Sequence, residues 1–321
     1  MSEARPKQHD LAAADEAFLL SPREILVPEH EVWVERPSKE HAIEVADLYQ
    51  QAYSRNDFFA GRYEYPRDEI FNPAWLKKDF DNPDHKWFVF TGSSGQVIGA
   101  TGLFHDYNID GLPILTSDET QIAPEGRGKH IMDNFFRMVV PRVEATGSLL
   151  STSFVLTPET KGLRRTLEAE LGMFSLGILP HVLKHPDSGI TRSEIVSAKF
   201  KEFQQQPVTL LANFEPLYRI VQSQVPQLPE PLVLPSDKSG IPSFAENYEE
   251  SLQPASGSDT EQQRHLLQAG FKPVAYYPRL NSFVMAEIPQ PMPELDFIIE
   301  NESIEANKDL VRYLQEELYN A

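Results

Sequence analysis

The stretch of sequence that decides the fold is Ile114-Leu-Thr-Ser-Asp-Glu-Thr-Gln-Ile-Ala-Pro-Glu-Gly-Arg-Gly-Lys-His-Ile-Met-Asp-Asn-Phe-Phe-Arg-Met-Val-Val140. An extended run stops at Ala123-Pro124, Gly126 and Gly128 loosen the chain, and a helical pattern of apolar residues begins directly afterwards. A strand, a glycine turn and a helix N-terminus in this order bring unpaired backbone N–H groups to the positive end of the helix dipole. The sequence therefore predicts a place for an anion such as phosphate at this turn.

Length and composition indicate a globular protein of one large or two medium domains. The chain has 321 residues, of which 40% are hydrophobic and 24% charged, and it contains no cysteine. Disulfides, thiolate metal sites and a cysteine nucleophile are therefore excluded, and we expect no metal. The sequence has neither the long apolar run of a membrane span nor the apolar core of a signal peptide, so we expect a cytoplasmic protein without a membrane partner.

The net charge limits the partners. A formal charge of −19 repels polyanions, so we expect no nucleic-acid partner. A small phosphorylated ligand is less constrained, because backbone N–H groups and a few local cations can hold it within an acidic protein. Candidate cations cluster after the glycine turn: Arg127, Lys129, His130, Arg137 and Arg142. The alternative interpretation is that they are solvated side chains on an exposed helix face.

The pattern of the chain predicts three parts. Residues 1–30 form an N-terminal extension with a short helical pattern, residues 31–205 form the main domain, and residues 206–321 form a smaller C-terminal α/β domain with a Pro/Ser-rich linker at 226–259. In the main domain the sequence pattern predicts a strand near 31–36, a helix towards residue 53, a hairpin at 86–104 and a strand at 114–122. A helix at about 129–145, a strand at 149–156, a helix at 158–171 and strands at 173–183 and 192–200 follow. This order predicts an α+β fold with a mixed sheet.

This order of elements, the turn Pro-Glu-x-Arg-Gly-Lys at 124–129 and the segment Leu-Glu-x-x-Leu-Gly-Met-Phe-x-x-Gly-x-Leu-Pro at 167–180 together resemble the GNAT superfamily of acyl-CoA N-acyltransferases. The resemblance covers roughly residues 31–200. It implies a GNAT-like acyltransferase domain that uses acetyl-CoA or another acyl-CoA as co-substrate.

The resemblance also implies a cofactor turn. In the family this turn follows Arg/Gln-x-x-Gly-x-Gly/Ala and holds the pyrophosphate of coenzyme A. Starting the motif at Arg127 places His130 and Met132 where small residues are expected, whereas the register Ala123–Gly128 restores both glycines and loses the leading Arg or Gln. His130 also fits an ordinary helix residue. The residues expected to bind the cofactor are Ile122, Ala123, Arg127, Gly128, Lys129, His130 and Ile131.

Direct attack of an amine on a thioester requires a base. Glu119 stands three residues before Ile122, where the family often carries its glutamate base, and Asp118 is the second candidate. Alternation along a strand lets only one of the two face the cleft, and both could instead face solvent. In the family a tyrosine often acts as the acid for the departing thiolate, and it lies four residues before the glycine that corresponds to Gly172. Here that position is Glu168.

The segment 56–80 is rich in aromatic residues with interspersed charges, which is typical of small-molecule pockets. Phe71 and Trp75, four residues apart, fit one buried helix face. Tyr63 and Tyr65 follow no clear period, and we expect them to bind substrate.

The C-terminal part echoes the main domain. Residues 262–278 run from a helix through Gly270 to a strand and a proline, as residues 167–180 do through Gly172. This echo indicates a partial second GNAT copy, a half-GNAT-like domain that ends in a helix at 305–319. Chance similarity of two helix–turn–strand pieces is the alternative.

Two functions from different classes follow from the sequence. The first is an acyl-CoA-dependent N-acyltransferase acting on a small-molecule amine. The second is a catalytically inactive GNAT-fold protein that serves as an acyl-CoA sensor or a protein-interaction partner. A homodimer is compatible with either function.

Overall fold

The computed structural model describes residues 23–55, 68–83, 85–106, 114–146, 149–155, 158–184, 191–199, 207–236, 252–278, 281–286 and 305–319. It divides into two compact units, Met1–Ser153 with Leu183–Thr191 and Phe154–Val182 with Arg192–Ala321. The domain limits expected from the sequence, at residues 30 and 205, stay a prediction. The short helical pattern of the N-terminal extension lies outside the described residues.

The first unit is a mixed sheet with helices on both faces. Its strands are β1 (Arg23–Val27), β2 (Val32–Glu35), β3 (His85–Thr91), β4 (Val97–Asp106), β5 (Ile114–Ile122) and β6 (Leu149–Val155), and its helices are α1 (His41–Arg55), α2 (Pro73–Asp79) and α3 (Ile131–Thr146). The strands lie in sequence order. All described pairs are antiparallel except β5 with β6. The expected mixed sheet and α+β class are confirmed, and β5 has the predicted bounds.

One strand of the first unit is not predicted by the sequence. β1 lies within the predicted N-terminal extension and pairs with β2 from Arg23 opposite Glu35 to Val27 opposite Val32. A charged pair of residues opens this segment, so its apolar pattern is too short to predict a strand. The segment forms a strand because pairing with β2 satisfies its backbone N–H and carbonyl groups.

β3 carries the core of the first unit, and all of its residues are buried. Trp87 and Val89 point to the face that holds α1 and α2, where they join a cluster with Tyr49. Phe88 and Phe90 point to the other face and meet Phe135 of α3, with ring centroids 5.2 and 5.3 Å apart. The alternation of large residues along one strand therefore fixes helices on both faces of the sheet.

A buried carboxylate interrupts this apolar core. Asp79 at the end of α2 is hydrogen-bonded to Nδ1 of His85, accepts from Trp87 Nε1 at 2.7 Å and accepts from Asn82 Nδ2 at 3.0 Å. Burial by itself would raise the pKa of Asp79, but hydrogen bonds from His85, Asn82 and Trp87 outweigh it and lower the pKa below the ordinary value of 3.8. The three donors therefore stabilise Asp79 as a carboxylate inside the core.

The second unit is built around a five-stranded sheet. Its helices are α4 (Pro158–Arg165), α5 (Glu215–Gln224), α6 (Thr260–Gln268) and α7 (Glu305–Tyr313), and its strands are β7 (Phe174–Lys184), β8 (Thr191–Lys199), β9 (Thr209–Leu211), β10 (Leu232–Leu234), β11 (Leu252–Ser256), β12 (Lys272–Tyr277) and β13 (Ser282–Ala286). The sheet has the order β8-β7-β12-β13-β11, and β9 pairs with β10 separately. π-helical turns, Thr166–Glu170 and Leu314–Tyr319, follow α4 and α7.

The two echoed segments lie side by side in this sheet. Gly172 and Gly270 each follow a helix with a left-handed backbone, at φ 64° and 93°. Strands β7 and β12 follow them and pair antiparallel through Gly177 and Ala275, each five residues after its turn glycine. β8 and β13 lie on the outer sides of this pair. The two segments are thus arranged about a local two-fold axis, while their descent from two GNAT copies stays a prediction.

Two strands lie within residues 226–259, which the sequence predicts to be a linker. β10 pairs parallel with β9, and β11 pairs antiparallel with β13 over all its five residues. Prolines at 231 and 254 obscure the strand pattern in the sequence. Both strands can carry or adjoin a proline because a backbone donor is not required at every position of a short or edge strand.

We expect Gly177→Ala to destabilise the protein. A Cβ at position 177 would lie 2.1 Å from the carbonyl oxygen of Val274 and 2.4 Å from Cα of Ala275, so the backbone of β12 would have to move. Overpacking of this kind costs about 1–3 kcal/mol. The matched control is Gly162→Ala in α4, where nothing lies within 4 Å of the added Cβ and removal of a helical glycine stabilises by about 0.5–1 kcal/mol. Free energies of unfolding in urea measure both changes. Equal effects would contradict the close approach of β7 and β12.

We expect the Asp79 cluster to make stability depend on acid pH. Because the pKa of Asp79 is lowered from 3.8, its contribution is fully present above that value and is lost as the pH falls through the folded-state pKa. Asp79→Asn should remove this part of the pH dependence of the unfolding free energy, measured by urea titration at a series of pH values. The control Asp81→Asn changes an exposed carboxylate whose partner is the exposed Lys39, with Nζ 2.7 Å from Oδ2, and should keep the wild-type slope because exposed ion pairs contribute little to stability.

Candidate active site

The turn between β5 and α3 is held against β4. The N–H of Ala123 donates to the carbonyl oxygen of Ile98 at 2.9 Å, and Pro124–Gly126 form a single helical turn. A Cβ on Gly126 would lie 3.0 Å from the same Ile98 oxygen and 2.9 Å from Cγ2 of Ile122. Gly126 is therefore required by packing on β4, and this contact fixes where the turn begins.

The far end of the turn presents free backbone donors. Gly128 and His130 both adopt left-handed conformations, with φ 74° and 52°, and α3 begins at Ile131. Among the described residues no acceptor meets the N–H groups of Gly128, His130, Ile131, Met132 and Asp133. Such donors at the N-terminus of a long helix favour an anion.

The residues of the turn itself are mostly exposed, in contrast to those that follow it. Arg127, Gly128 and His130 are exposed and Lys129 is half-buried, whereas Ile131 and Met132 are 2% and 9% exposed and belong to the core. The turn is therefore not covered by the apolar side chains that follow it. The two cations of the turn, Arg127 and Lys129, are exposed and half-buried respectively.

His130 contacts Asp133 at the start of α3. Its Nδ1 lies 2.8 Å from Oδ2 of Asp133, and the side chain of His130 is 73% exposed. Asn134 donates from Nδ2 to the His130 carbonyl at 2.9 Å, which stabilises the left-handed residue. Oδ1 of Asp133 is buried and has no hydrogen-bond partner among the described residues. Asp133 thus adds a negative charge beside the free donors.

The strand before the turn contains a β-bulge at the candidate bases. Asp118 pairs with Gly102 and Gln121 pairs with Ala100, so Glu119 and Thr120 together oppose Thr101. Strict alternation, on which the choice between Glu119 and Asp118 depends, is interrupted there. The ladder with β6 ends at Ser117 opposite Thr152, although β5 continues to Ile122. The backbone of β5 after Ser117 is therefore not paired with β6. The side chains of both carboxylates lie outside the described residues.

The aromatic substrate candidates are only partly placed. Tyr63 and Tyr65 lie outside the described residues. Phe71 and Trp75 are half-buried and pack against the core of the first unit. They do not share one regular helix, because Phe71 ends a 3-10 turn and Asn72 caps α2 by accepting from the N–H of Ala74 at 2.9 Å. Both side chains pack against the core, as the structural interpretation expects, but they do so from two different elements and not from one helix face.

Glu168 has partners that sequence reasoning did not find. The resemblance points to its position only as one where a tyrosine is missing. In the second unit its carboxylate accepts hydrogen bonds from Asn307 on α7 and Ser197 on β8. The only sequence signal for this cluster is the position of Glu168 before Gly172, since Asn307 lies far away along the chain.

Comparison with known proteins gives matches among solved structures only. Neither a protein-family model nor a curated protein matches the sequence. The ribosomal-protein-S5-alanine acetyltransferase from Vibrio fischeri is 16% identical and aligns with 54% of this chain and 94% of its own, at a TM-score of 0.42.

Other acetyltransferase structures give similar values. The microcin C7 self-immunity acetyltransferase, solved with acetyl-CoA and AMP, is 14% identical and covers 55% of this chain and 99% of its own at a TM-score of 0.42. A GNAT-superfamily phosphinothricin acetyltransferase from Sinorhizobium meliloti, solved with acetyl-CoA, is 17% identical and covers 53% and 88% at 0.42.

No group of three or more His, Asp or Glu side chains in the described residues is placed to hold a metal ion. None of the helices in the described ranges is long and apolar enough to cross a membrane.

We expect Gly128→Ala to destabilise the turn through its backbone alone. Gly128 has φ 74° and nothing lies within 4 Å of an added Cβ, so no steric contact contributes. A left-handed conformation costs an L-residue about 1–2 kcal/mol. Urea unfolding should show this loss. As a control, Gly162→Ala adds the same methyl group in open space without a left-handed backbone, and a comparable loss there would contradict the backbone explanation.

Proposed function

We propose that this chain is an acyl-CoA-dependent N-acyltransferase that transfers an acetyl group to the amine of a small molecule. The observation that carries the proposal is the set of free N–H groups at residues 128 and 130–133 beside the cations Arg127 and Lys129. This arrangement fits the diphosphate of coenzyme A, because backbone donors and the helix dipole are directed at one anion. The acetyl-CoA in two of the similar structures supports the same ligand.

The side-chain charges around the turn cancel, so the backbone N–H groups and the helix dipole supply the attraction for the diphosphate. Arg127 and Lys129 supply two cations, whereas Glu125 and Asp133 supply two carboxylates, and Oδ2 of Asp133 lies 2.8 Å from Nδ1 of His130. A protonated His130 would offset Asp133, since the two charges are in contact. Close approach of phosphate to the backbone is possible at Gly128, which has no side chain.

The chemistry requires proton transfer as well as binding. In the proposed reaction the amine nitrogen forms a bond to the thioester carbonyl carbon, the carbon–sulfur bond breaks, and the thiolate leaves. The proton lost by nitrogen goes to Glu119, with Asp118 as the second candidate. Glu119 lies in the β-bulge of β5, four residues before Ala123 at the start of the turn. Tyr63 and Tyr65 are proposed to contact the acceptor.

An inactive acyl-CoA sensor is the second candidate. The contact of His130 with Asp133 favours it, because a carboxylate at the N-terminus of α3 competes with a bound anion. A sensor of this kind would bind acyl-CoA at the same turn and release no thiol.

The proposal predicts that acetyl-CoA raises the unfolding midpoint of the wild type, because a ligand that binds only the native state stabilises it. Arg127→Glu should abolish this shift, since a cation at the phosphate becomes an anion. Lys77→Glu is the control: Lys77 is an exposed residue of α2, so the substitution makes the same change in net charge away from the turn and should keep the shift. Thermal unfolding with and without acetyl-CoA measures both variants.

Thiol release with a panel of primary amines then separates the two candidates. Release that depends on both substrates supports the transferase, and a thermal shift without release supports the sensor. The absence of any shift in the wild type contradicts both. Loss of the shift in the Lys77 variant as well would show that only net charge matters.

A further inference from the structure

The last residues of β5 are held by β4 and, among the described strands, by no other. Pairing with β6 ends at Ser117, whereas pairing with β4 continues to Ile122 opposite Gly99. The two strands pack closely there, since a Cβ on Gly99 would lie 2.6 Å from Cδ1 of Ile122 and 3.0 Å from the carbonyl oxygen of Gln121. The position of this part of β5 is therefore set by its contacts with β4.

A side-chain hydrogen bond joins the two strands at the β-bulge. Oγ1 of Thr101 lies 2.7 Å from Oγ1 of Thr120, and either hydroxyl can donate. Thr101 is 0% exposed and lies opposite the two bulge residues, Glu119 and Thr120. A bulge interrupts the backbone ladder between its strands. The bond between the two hydroxyls therefore connects β4 and β5 at the point where backbone pairing is irregular.

This hydrogen bond restrains the backbone of the bulge. Both of its residues are β-branched, and such side chains have few allowed χ1 rotamers, so a bond between them limits the movement of both backbones. Glu119 lies between Asp118, which pairs with Gly102, and Thr120, which is bonded to Thr101. Bulges next to active sites often redirect a side chain. The direction in which the chain presents Glu119 thus depends on the bond of its neighbour.

We propose that Thr101 is a positioning residue for the proton transfer, because it holds Thr120 and thereby fixes the backbone of Glu119. The inference rests on the proposed transferase function, in which Glu119 is the base. In this role Thr101 acts through Glu119 and not on the substrate. A base must lie within hydrogen-bond reach of the proton that it takes. A displaced bulge therefore lowers the rate of transfer more than the affinity of the glycine turn for acetyl-CoA.

Thr101→Val is the first test, because it removes the hydroxyl and keeps a branched side chain of similar shape. A misplacement of about 1 Å can cost about 100-fold in rate, so kcat with primary amines should fall about tenfold or more, while KM for acetyl-CoA stays near the wild-type value. Thr101→Ser keeps the hydroxyl and should restore most of kcat.

Thr91→Val is the matched control on β3. Thr91 is 1% exposed, and its hydroxyl donates to Oε1 of Glu35 at 2.8 Å, so the substitution removes a comparable buried hydroxyl away from the bulge. It should lower the unfolding midpoint as much as Thr101→Val does and leave kcat unchanged. Equal midpoints combined with an unchanged kcat in Thr101→Val would show a purely structural role and overturn the inference.

A double-mutant cycle isolates the bond from other contacts of the two threonines. Thr120→Val should lower kcat by a similar factor, and the double variant should be no slower than either single variant. In the Glu119→Gln background, Thr101→Val should have little further effect. Losses that multiply in either comparison would show that Thr101 acts by another route, and they would overturn the inference.

The remaining outcomes separate this inference from the proposed function. If the wild type releases thiol and Thr101→Val keeps its kcat, the positioning role fails and the transferase stands. If the wild type releases no thiol with any amine, the proposed transferase fails. Hydrogen exchange then still tests the restraint: Thr101→Val should speed exchange of the backbone amides at 118–122, and Thr91→Val should not. Exchange at the wild-type rate in Thr101→Val would overturn the restraint itself.

Discussion

The close packing of the glycine turn on β4 is the constraint on which the candidate site depends. Gly126 lies against the Ile98 carbonyl, where a Cβ would be 3.0 Å from the oxygen, and Ala123 donates to that same oxygen at 2.9 Å. These two contacts end β5 and direct the chain into α3. The N–H groups of the first turn of α3 thereby emerge together, without acceptors among the described residues, at the end of the strand that carries Glu119. Backbone geometry rather than a set of side chains therefore creates the anion site.

The second unit uses side-chain amides in place of backbone pairing. Gln224 bonds both polar groups of Ser175, and Gln263 accepts from the N–H of Leu211 at 2.9 Å and donates to the carbonyl of Thr209 at 3.1 Å. Each amide presents an acceptor oxygen and an NH₂ donor side by side, so it can bond a backbone N–H and a carbonyl as a neighbouring strand would. Strand positions that have no neighbouring strand are satisfied in this way, which is needed because buried backbone groups without partners are costly. The same device links Gln224 to Ser175, whose hydroxyl donates to Asn307, and so to the Asn307–Glu168 contact.

Close approach of two strands also explains how the echoed segments join. β7 and β12 meet at Gly177 and Ala275, where the small side chains let the two backbones come within van der Waals distance. The aromatic residues of the C-terminal part pack next to this pair, with Tyr276 4.5 Å from Phe283 and 5.1 Å from Tyr218 between ring centroids. A sheet that continues from one segment into the other places the polar side chains of α5 and α7 within reach of β7.

The sequence by itself determined the elements of local origin: β5, the glycine turn and α3 follow from periodicity, glycine placement and the apolar face of the helix, because these signals act between near neighbours. It also indicated the mixed sheet and the positions of Arg127 and Lys129. Tertiary structure alone decided the bulge at Glu119, the left-handed backbone of His130, the pairing of β1 with β2 and the contact of Asn307 with Glu168. The strand pairings and the Asn307 contact depend on partners distant along the chain, of which a linear pattern carries no record, and the backbone of His130 depends on where the helix begins after the packed turn.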